Sequence, residues 1–260
     1  MSDKAKEIKT VLITGASGLI GKKLAEKFID NNFRCIGIDV CDNNKKNLEH
    51  HIIDLSSNHS STNNKLKSIL NSINEPFSLI HAAGIDFKFD QKHAEISADK
   101  FLMENPNEFI KIVEANLFMT YSVIFESIRR MEKINGGNII LLGSIYGKVA
   151  PNLNLYKNDN DSYYAIKPFS YSISKSTFPM FSKLIASRFT SKNIKCINLE
   201  PHAIIDDPLE QFKKNFYKIS PSKELGSIDE LCRLIFMLAS NKLSYLTGTT
   251  ITMDGGWSSI

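Results

Sequence analysis

No apolar run in the sequence approaches the ~20 residues that cross a bilayer, which argues against a membrane-spanning protein. Met1 to Lys9 is polar and charged where a secretory signal would carry an apolar centre, so export by that route is not expected. Cysteine is sparse. Cys35, Cys41, Cys196 and Cys232 form no CxxC pair and no metal-like spacing, so the expectation is no metal site and buried, reduced thiols in a cytoplasmic protein. A basic block is also missing: the net charge of +4 is spread along the chain, which favours solubility over nucleic-acid binding. No internal repeat is found.

What is present begins at Lys9 to Gly21, KTVLITGASGLIG. Val11 to Ile13 reads as a strand covered on both faces, and Leu19 to Ile29 carries apolar residues at helical spacing. Between them Gly15, Gly18 and Gly21 allow a tight turn, a bare-backbone approach to a pyrophosphate and close helix packing. The helix start adds free N–H groups and a positive dipole end, the requirements of a dinucleotide-binding turn. A second strand, Phe33 to Ile38, ends at Asp39, where an acid can bind ribose hydroxyls and would repel a 2′-phosphate. No arginine follows it and Ser17 sits inside the turn, so NAD is favoured over NADP, with Lys45 and Lys46 the nearby basic residues.

At 260 residues the chain fits one α/β domain. The Asn/Lys-rich stretch Cys41 to Lys67 reads as loops around one strand, His51 to Ile53. Asp54 after it is either an adenine contact or a turn residue. Phe77 to Ala83 is a strand closing in Ala82-Ala83-Gly84, small enough for a flat cofactor to lie against. Asn105-Pro106 opens a helical pattern to about Ile134 in which the buried-looking Asn116 asks for a water-holding or relay role. Asn138 to Leu142 is a strand ending at Gly143-Ser144, which aims Ser144 at the same sheet rim as the glycine turn. A polar, aromatic stretch from 147 to 168 has little periodicity and reads as a long functional loop. Pro168 starts a helix that puts Tyr171 and Lys175 on one face, where an ammonium favours the phenolate, and Pro179 should kink it or remove one backbone bond. Ile194 to Leu199 is a strand before Pro201-His202, and Asp206 to Tyr217 is weakly amphipathic. Ser227-x-x-Glu230 is a capping box, and Thr249 to Met253 is the last strand.

The ordered set TGASGLIG (14 to 21), HAAG (81 to 84), Asn116, Gly143-Ser144, YSISK (171 to 175), EPH (200 to 202) and TGTTITMDGG (247 to 256) resembles the short-chain dehydrogenase/reductase family over nearly the whole chain. The resemblance implies a doubly wound, Rossmann-type α/β fold of about seven parallel strands in a single domain, assembled as a homodimer or homotetramer. It implies a catalytic quartet in which Tyr171 exchanges the proton, Ser144 holds the reacting oxygen, Lys175 binds the nicotinamide ribose and lowers the Tyr171 pKa, and Asn116 holds a relay water. Implied cofactor contacts run from the turn (Gly15, Ser17, Gly18, Leu19, Ile20, Gly21) through Asp39, Asp54 and Leu55 to Ala82, Ala83, Gly84, Tyr171, Lys175 and Pro201.

Four departures from the family pattern carry information. The glycines are spaced GxxGxxG, as in the extended epimerase and dehydratase branch, although the chain's ending and length fit the single-domain enzymes. The long step from Ser144 to Tyr171 implies an active-site insertion at about 147 to 168, similar to that of bacterial surface-sugar and flagellin-modification dehydrogenases. His81 replaces the usual Asn, and His202, which either faces substrate or fills space, replaces a Gly. The segment from about 202 to 226 is, by resemblance, a mobile substrate cover. The expected activity is NAD-dependent oxidation or reduction of a secondary alcohol or ketone on a sugar phosphate or nucleotide sugar, with Tyr156, Asn158, Asp161 and Tyr163 reading its hydroxyls. The alternatives are reduction of a lipid or other small ketone, and a non-catalytic NAD-binding scaffold.

Overall fold

A computed structural model describes residues 8–86, 104–240 and 245–260. Most of the polar start, residues 1–7, therefore lies outside the described residues. Seven strands form one wholly parallel sheet: β1 (Thr10–Thr14), β2 (Arg34–Asp39), β3 (Leu48–Ile52), β4 (Phe77–His81), β5 (Gly137–Leu142), β6 (Ile194–Pro201) and β7 (Thr249–Met253). Their order, β3-β2-β1-β4-β5-β6-β7, reverses direction between β1 and β4. A crevice opens there, outside the carboxyl ends of the two strands, where open α/β sheets bind ligands.

Among the described residues there are seven α-helices: α1 (Leu19–Asp30), α2 (Ser60–Asn71), α3 (Pro106–Met131), α4 (Phe169–Ser176), α5 (Phe178–Phe189), α6 (Glu210–Ile219) and α7 (Ile228–Ala239). Val11 and Ile13 of β1 pack with Leu24 and Phe28 of α1 and Leu231 and Ile235 of α7 on one face. Leu12 turns the other way, toward Leu66 and Leu70 of α2, Val123 and Ile128 of α3, and Ile185 of α5. That alternation is why β1, β4 and β5 are buried at every residue: each side chain has a helix layer to enter.

Local chemistry sets the boundaries. The Asn105 side chain accepts the N–H groups of Asn107 and Glu108 at 3.0 Å and starts α3, with Pro106 in the first turn. Ser227 accepts the Glu230 N–H at 3.3 Å and starts α7. Pro179 breaks rather than bends its helix: α4 ends at Ser176, Thr177 caps both pieces, and Pro179 lies in the first turn of α5, where its missing N–H costs nothing.

Three expectations need correction. Cys41 to Lys67 holds more than loops around one strand, because α2 begins at Ser60; its Ser/Thr/Asn-rich exposed face masks a stripe of only Leu66, Ile69 and Leu70. The segment 206 to 217 is strongly rather than weakly amphipathic, since α6 buries Phe212 and Phe216, one turn apart. Cys41 is exposed, unlike Cys35, Cys196 and Cys232, because it follows the end of β2. Among the described residues no helix is long and apolar enough to cross a membrane, and no His, Cys, Asp or Glu cluster could hold a metal.

His81, at the end of β4, is fully buried, with Nδ1 2.8 Å from Thr14 Oγ1 and Nε2 2.9 Å from Thr120 Oγ1. Burial, and then the nearby Lys175 ammonium, push it down to about 3. Its neutral form is the one the fold accepts, so the unfolded chain binds the extra proton first. Stability from this group is complete above the ordinary histidine value and is lost as pH falls below it. His81→Asn keeps a partner for Thr14 and removes the titration; thermal melts from about pH 6.5 to 4 should fall less steeply for the variant, and parallel curves would contradict the assignment.

Candidate active site

At the crevice, β1 passes into a turn that only glycine can make. Gly15 has φ +74°, and a Cβ on it would lie 2.8 Å from the Ala83 nitrogen at the end of β4. A Cβ on Gly21 would fall 2.0 Å from the Gly15 carbonyl oxygen, so α1 can sit against the turn only without one. Gly18 caps α1 with no side-chain hydrogen bond, which leaves the first N–H groups of that helix available to an anion. The turn thus fits the pyrophosphate of a dinucleotide. Leu19, Ile20, Ala82, Gly84, Lys175 and Pro201 line one continuous cavity of about 1120 Å³ that runs from it past Ser144 and Tyr171.

The adenosine-side residues fall beyond that cavity. Asp39 accepts the Ser17 N–H at 2.9 Å and the Cys41 N–H at 3.1 Å, which fixes its carboxylate beside the glycine turn. Asp54 is exposed and accepts both the Ser56 N–H and the Ser56 hydroxyl, so its geometry is that of a turn residue. The side chain of Leu55 is buried in the core between sheet and helices, leaving only its backbone to serve a ligand.

The four residues singled out by motif do converge. Tyr171 and Lys175 stand one turn apart on α4, with Lys175 Nζ 6.0 Å from the Tyr171 ring centre. The Ser144 hydroxyl, just past the end of β5, stands near enough to the Tyr171 phenol to favour its ionised form, and it accepts the Tyr146 N–H at 3.2 Å. Lys175 is buried and donates to the Leu142 carbonyl at 2.8 Å. A Cβ on Gly84 would lie 3.5 Å from Lys175 Nζ and 4.0 Å from Asn116 Oδ1, which brings Asn116 to the same place. The Asn116 side chain has a task that the sequence did not reveal: it accepts the Ile85 N–H at 2.7 Å and donates to the Ile85 carbonyl at 3.0 Å, pinning the chain as it leaves β4.

Charge and burial oppose each other here. Burial, reinforced by the Asp86 carboxylate, pushes the Tyr171 phenol above its ordinary value, while the Ser144 hydroxyl pulls it down. Burial lowers Lys175 to about 8; Asp86 opposes that shift and the Lys167 ammonium adds to it. Lys167 and Asp86 form an ion pair on the cavity wall, with Lys167 Nζ 4.4 Å above the Tyr171 ring. Both were missed at the level of sequence. Their only signals are position: Asp86 lies two residues past the HAAG motif, and Lys167 immediately precedes the proline that starts α4.

The stretch 147 to 168 and the segment after Pro201 share one small core. A bridge between Lys157 and Tyr163 closes the first into a hairpin, and Asn215 of α6 donates to the Leu155 and Lys157 carbonyls. Tyr156, Phe212, Phe216 and Trp257 pack together over the cavity. Of the four loop residues expected to read hydroxyls, Tyr156 alone lines the cavity; Asn158 bonds Ser162, Asp161 turns out to Lys157, and Tyr163 lies under Lys157. The Tyr156 phenol meets the Tyr146 hydroxyl at 3.0 Å, and the Tyr146 hydroxyl lies 3.4 Å from His202 Nε2. His202 both fills space, against Trp257 at 4.6 Å, and faces the cavity; burial lowers it to about 4, and its Nδ1 has no partner.

Comparison with known proteins agrees with this geometry. The family model described as enoyl-(acyl carrier protein) reductase matches residues 15–258. A 3-oxoacyl-[acyl-carrier-protein] reductase from Buchnera aphidicola is 28% identical over 96% of this chain and 97% of its own length. The post-translational flagellin modification protein A of Campylobacter coli is 24% identical over 96% of this chain and 98% of its own. A short-chain dehydrogenase from Leptospira borgpetersenii, solved with bound NAD+, superposes with a TM-score of 0.78 at 25% identity, covering 99% of this chain and 96% of the other. With its parallel sheet, glycine turn and the YSISK helix beside Ser144, the chain belongs to the short-chain dehydrogenase/reductase family of NAD(P)-dependent oxidoreductases.

Proposed function

We propose that this protein interconverts a secondary alcohol and a ketone on a phosphorylated or nucleotide-activated sugar, with NAD as its cofactor. The observation that carries the redox chemistry is the convergence of Ser144, Tyr171 and Lys175 at the end of a cavity that begins at the glycine turn. A nicotinamide bound in that cavity supplies or accepts the hydride. Tyr171 gives the proton to the reacting oxygen or takes it away, Ser144 hydrogen-bonds that oxygen, and the Lys175 ammonium stabilises the phenolate. Asn116 acts by holding the Gly84–Ile85 backbone, which shapes the floor on which Lys175 rests.

NAD rather than NADP is favoured by the fixed carboxylate of Asp39 beside the turn, which would repel a 2′-phosphate. A polar substrate is favoured by the wall of Tyr146, Tyr156, Tyr164, His202 and the Lys167–Asp86 pair, and the likeness to the flagellin modification protein points toward surface sugars. The 147 to 168 insertion and the 202 to 226 segment cover the substrate as a joined cap. A second reading, reduction of a 3-oxoacyl chain, draws on the likeness to the Buchnera reductase and on the apolar part of the wall, which includes Ile204, Ile205, Leu209 and Phe212. Self-association is supported by exposed Ile110, Tyr121 and Phe125 on α3 and by Ile173 and Met180 on α4 and α5.

Absorbance in the NADH band tests the assignment, followed with NAD or NADP and a panel of sugar phosphates and nucleotide sugars, and with NADH or NADPH and 3-oxoacyl thioesters. Reduction of NAD by one sugar is expected, with Tyr171→Phe binding NADH normally and losing about 10²–10⁴-fold in turnover. Asp39→Ser should raise the NADP to NAD ratio of kcat/KM. Undiminished turnover in Tyr171→Phe would remove that residue from the chemistry, and turnover with a 3-oxoacyl thioester alone would select the second reading.

A further inference from the structure

Among the described residues three charged side chains act on the Tyr171 ring, and one of them, Lys175, belongs to the motif quartet. Lys167 Nζ lies 4.4 Å from the ring centre with its side chain 10% exposed, and its partner Asp86 is 35% exposed. Two ammonium groups therefore face one carboxylate, and the Lys167 charge is felt at Lys175. Backbone constraints place both members of the pair. Lys167 precedes Pro168, which limits it to extended conformations, and Asp86 follows Ile85, whose N–H and C=O are both held by Asn116.

The pair is asymmetric in water. An ammonium as enclosed as that of Lys167 needs a partner, whereas the Asp86 carboxylate retains enough solvent contact to be released at modest cost. A neutral hydroxyl entering the cavity cannot replace that carboxylate. An anion can, and it would also balance the second ammonium. Since Lys167 is stacked on the phenol itself, the groups it can reach are those carried within a few bonds of the carbon that Tyr171 serves.

We propose that Lys167 is a specificity-determining residue that receives a carboxylate or phosphate borne close to the reacting carbon, and that Asp86 holds the place of that anion until substrate arrives. The proposal rests on the redox reading of the site and narrows its substrate class to acidic or phosphorylated alcohols and ketones.

The test uses two matched probe pairs, dihydroxyacetone phosphate with dihydroxyacetone and acetoacetate with its methyl ester, on NADH-loaded wild type, Lys167→Gln and Lys167→Arg. Binding is read by NADH fluorescence and turnover by NADH absorbance, with NADH affinity as the control of folding. A charge-assisted contact of this kind corresponds to roughly a ten- to hundredfold preference for the anionic member in the wild type. Lys167→Gln should lose that preference through weaker binding or a higher KM for the anionic probe relative to its neutral match, and Lys167→Arg should recover most of it. Preference for the phosphate alone or the carboxylate alone assigns the anion and supports the proposal either way. Equal binding of charged and neutral probes to the wild type, no binding of either anion, or a preference that survives in Lys167→Gln would overturn it. Failure of the redox reading would register separately, as undiminished turnover in Tyr171→Phe, because the binding contrast requires no hydride transfer.

Discussion

The Lys175 ammonium donates a 2.8 Å hydrogen bond to the Leu142 carbonyl in a place almost closed to water, and the elements around it are arranged so that this charge is tolerated. Strand β5 supplies the carbonyl, α4 supplies the lysine, and Gly84 lies alongside, where a Cβ would stand 3.5 Å from Nζ. The cost of burying the charge is visible in the lowering of Lys175 to about 8. That lowering also makes the group useful. A cation poised near neutrality, one helical turn from a phenol that burial holds protonated, gives the site an acid–base pair whose balance any added charge will tip.

Added charge is what the rest of the cavity governs. The Asp86 carboxylate raises Tyr171 and supports the Lys175 ammonium, while Lys167 works against that ammonium. The cap formed by Tyr156, Phe212, Phe216 and Trp257 limits the water that would otherwise screen these effects. The placement of the motif residues, the charge balance and the cover are thus produced by separate pieces of chain that meet at the carboxyl rim of the sheet through packing, hydrogen bonds and the Lys167–Asp86 ion pair.

Much of this was legible in the sequence for a physical reason. A strand buried on both faces has to be apolar throughout, a crossover helix needs a cap, and a phosphate turn needs glycine, so β1, β4, β5, the starts of α3 and α7, and the glycine turn leave local marks. Helix α2 left little mark because three buried residues suffice on a helix whose other faces are wet. Proline at 179 was read as a kink, and the structure resolves it as two helices, since Thr177 serves at once as an end and a start. The meeting of Ser144, Tyr171 and Lys175 could be expected from the family resemblance, with spacing putting Tyr171 beside Lys175 and a strand end aiming Ser144 at the rim. The Lys167–Asp86 pair could not, because it joins residues 81 apart in sequence through the placement of two backbones. The union of the insertion with α6 was hidden for the same reason, although each carried its aromatic residues in plain view.

The most direct test of this account is a spectroscopic titration of the Tyr171 phenol, taken as the phenolate absorbance of wild type minus Tyr171→Phe across pH, with NAD+ bound, with NADH bound and in Lys175→Met. If the Tyr171 acidity is set by neighbouring charge, its ionisation must shift to lower pH with NAD+ than with NADH, and to higher pH when the Lys175 ammonium is removed. A titration that is the same in all three would contradict the account, and the acid–base role would have to be sought in another group of the cavity.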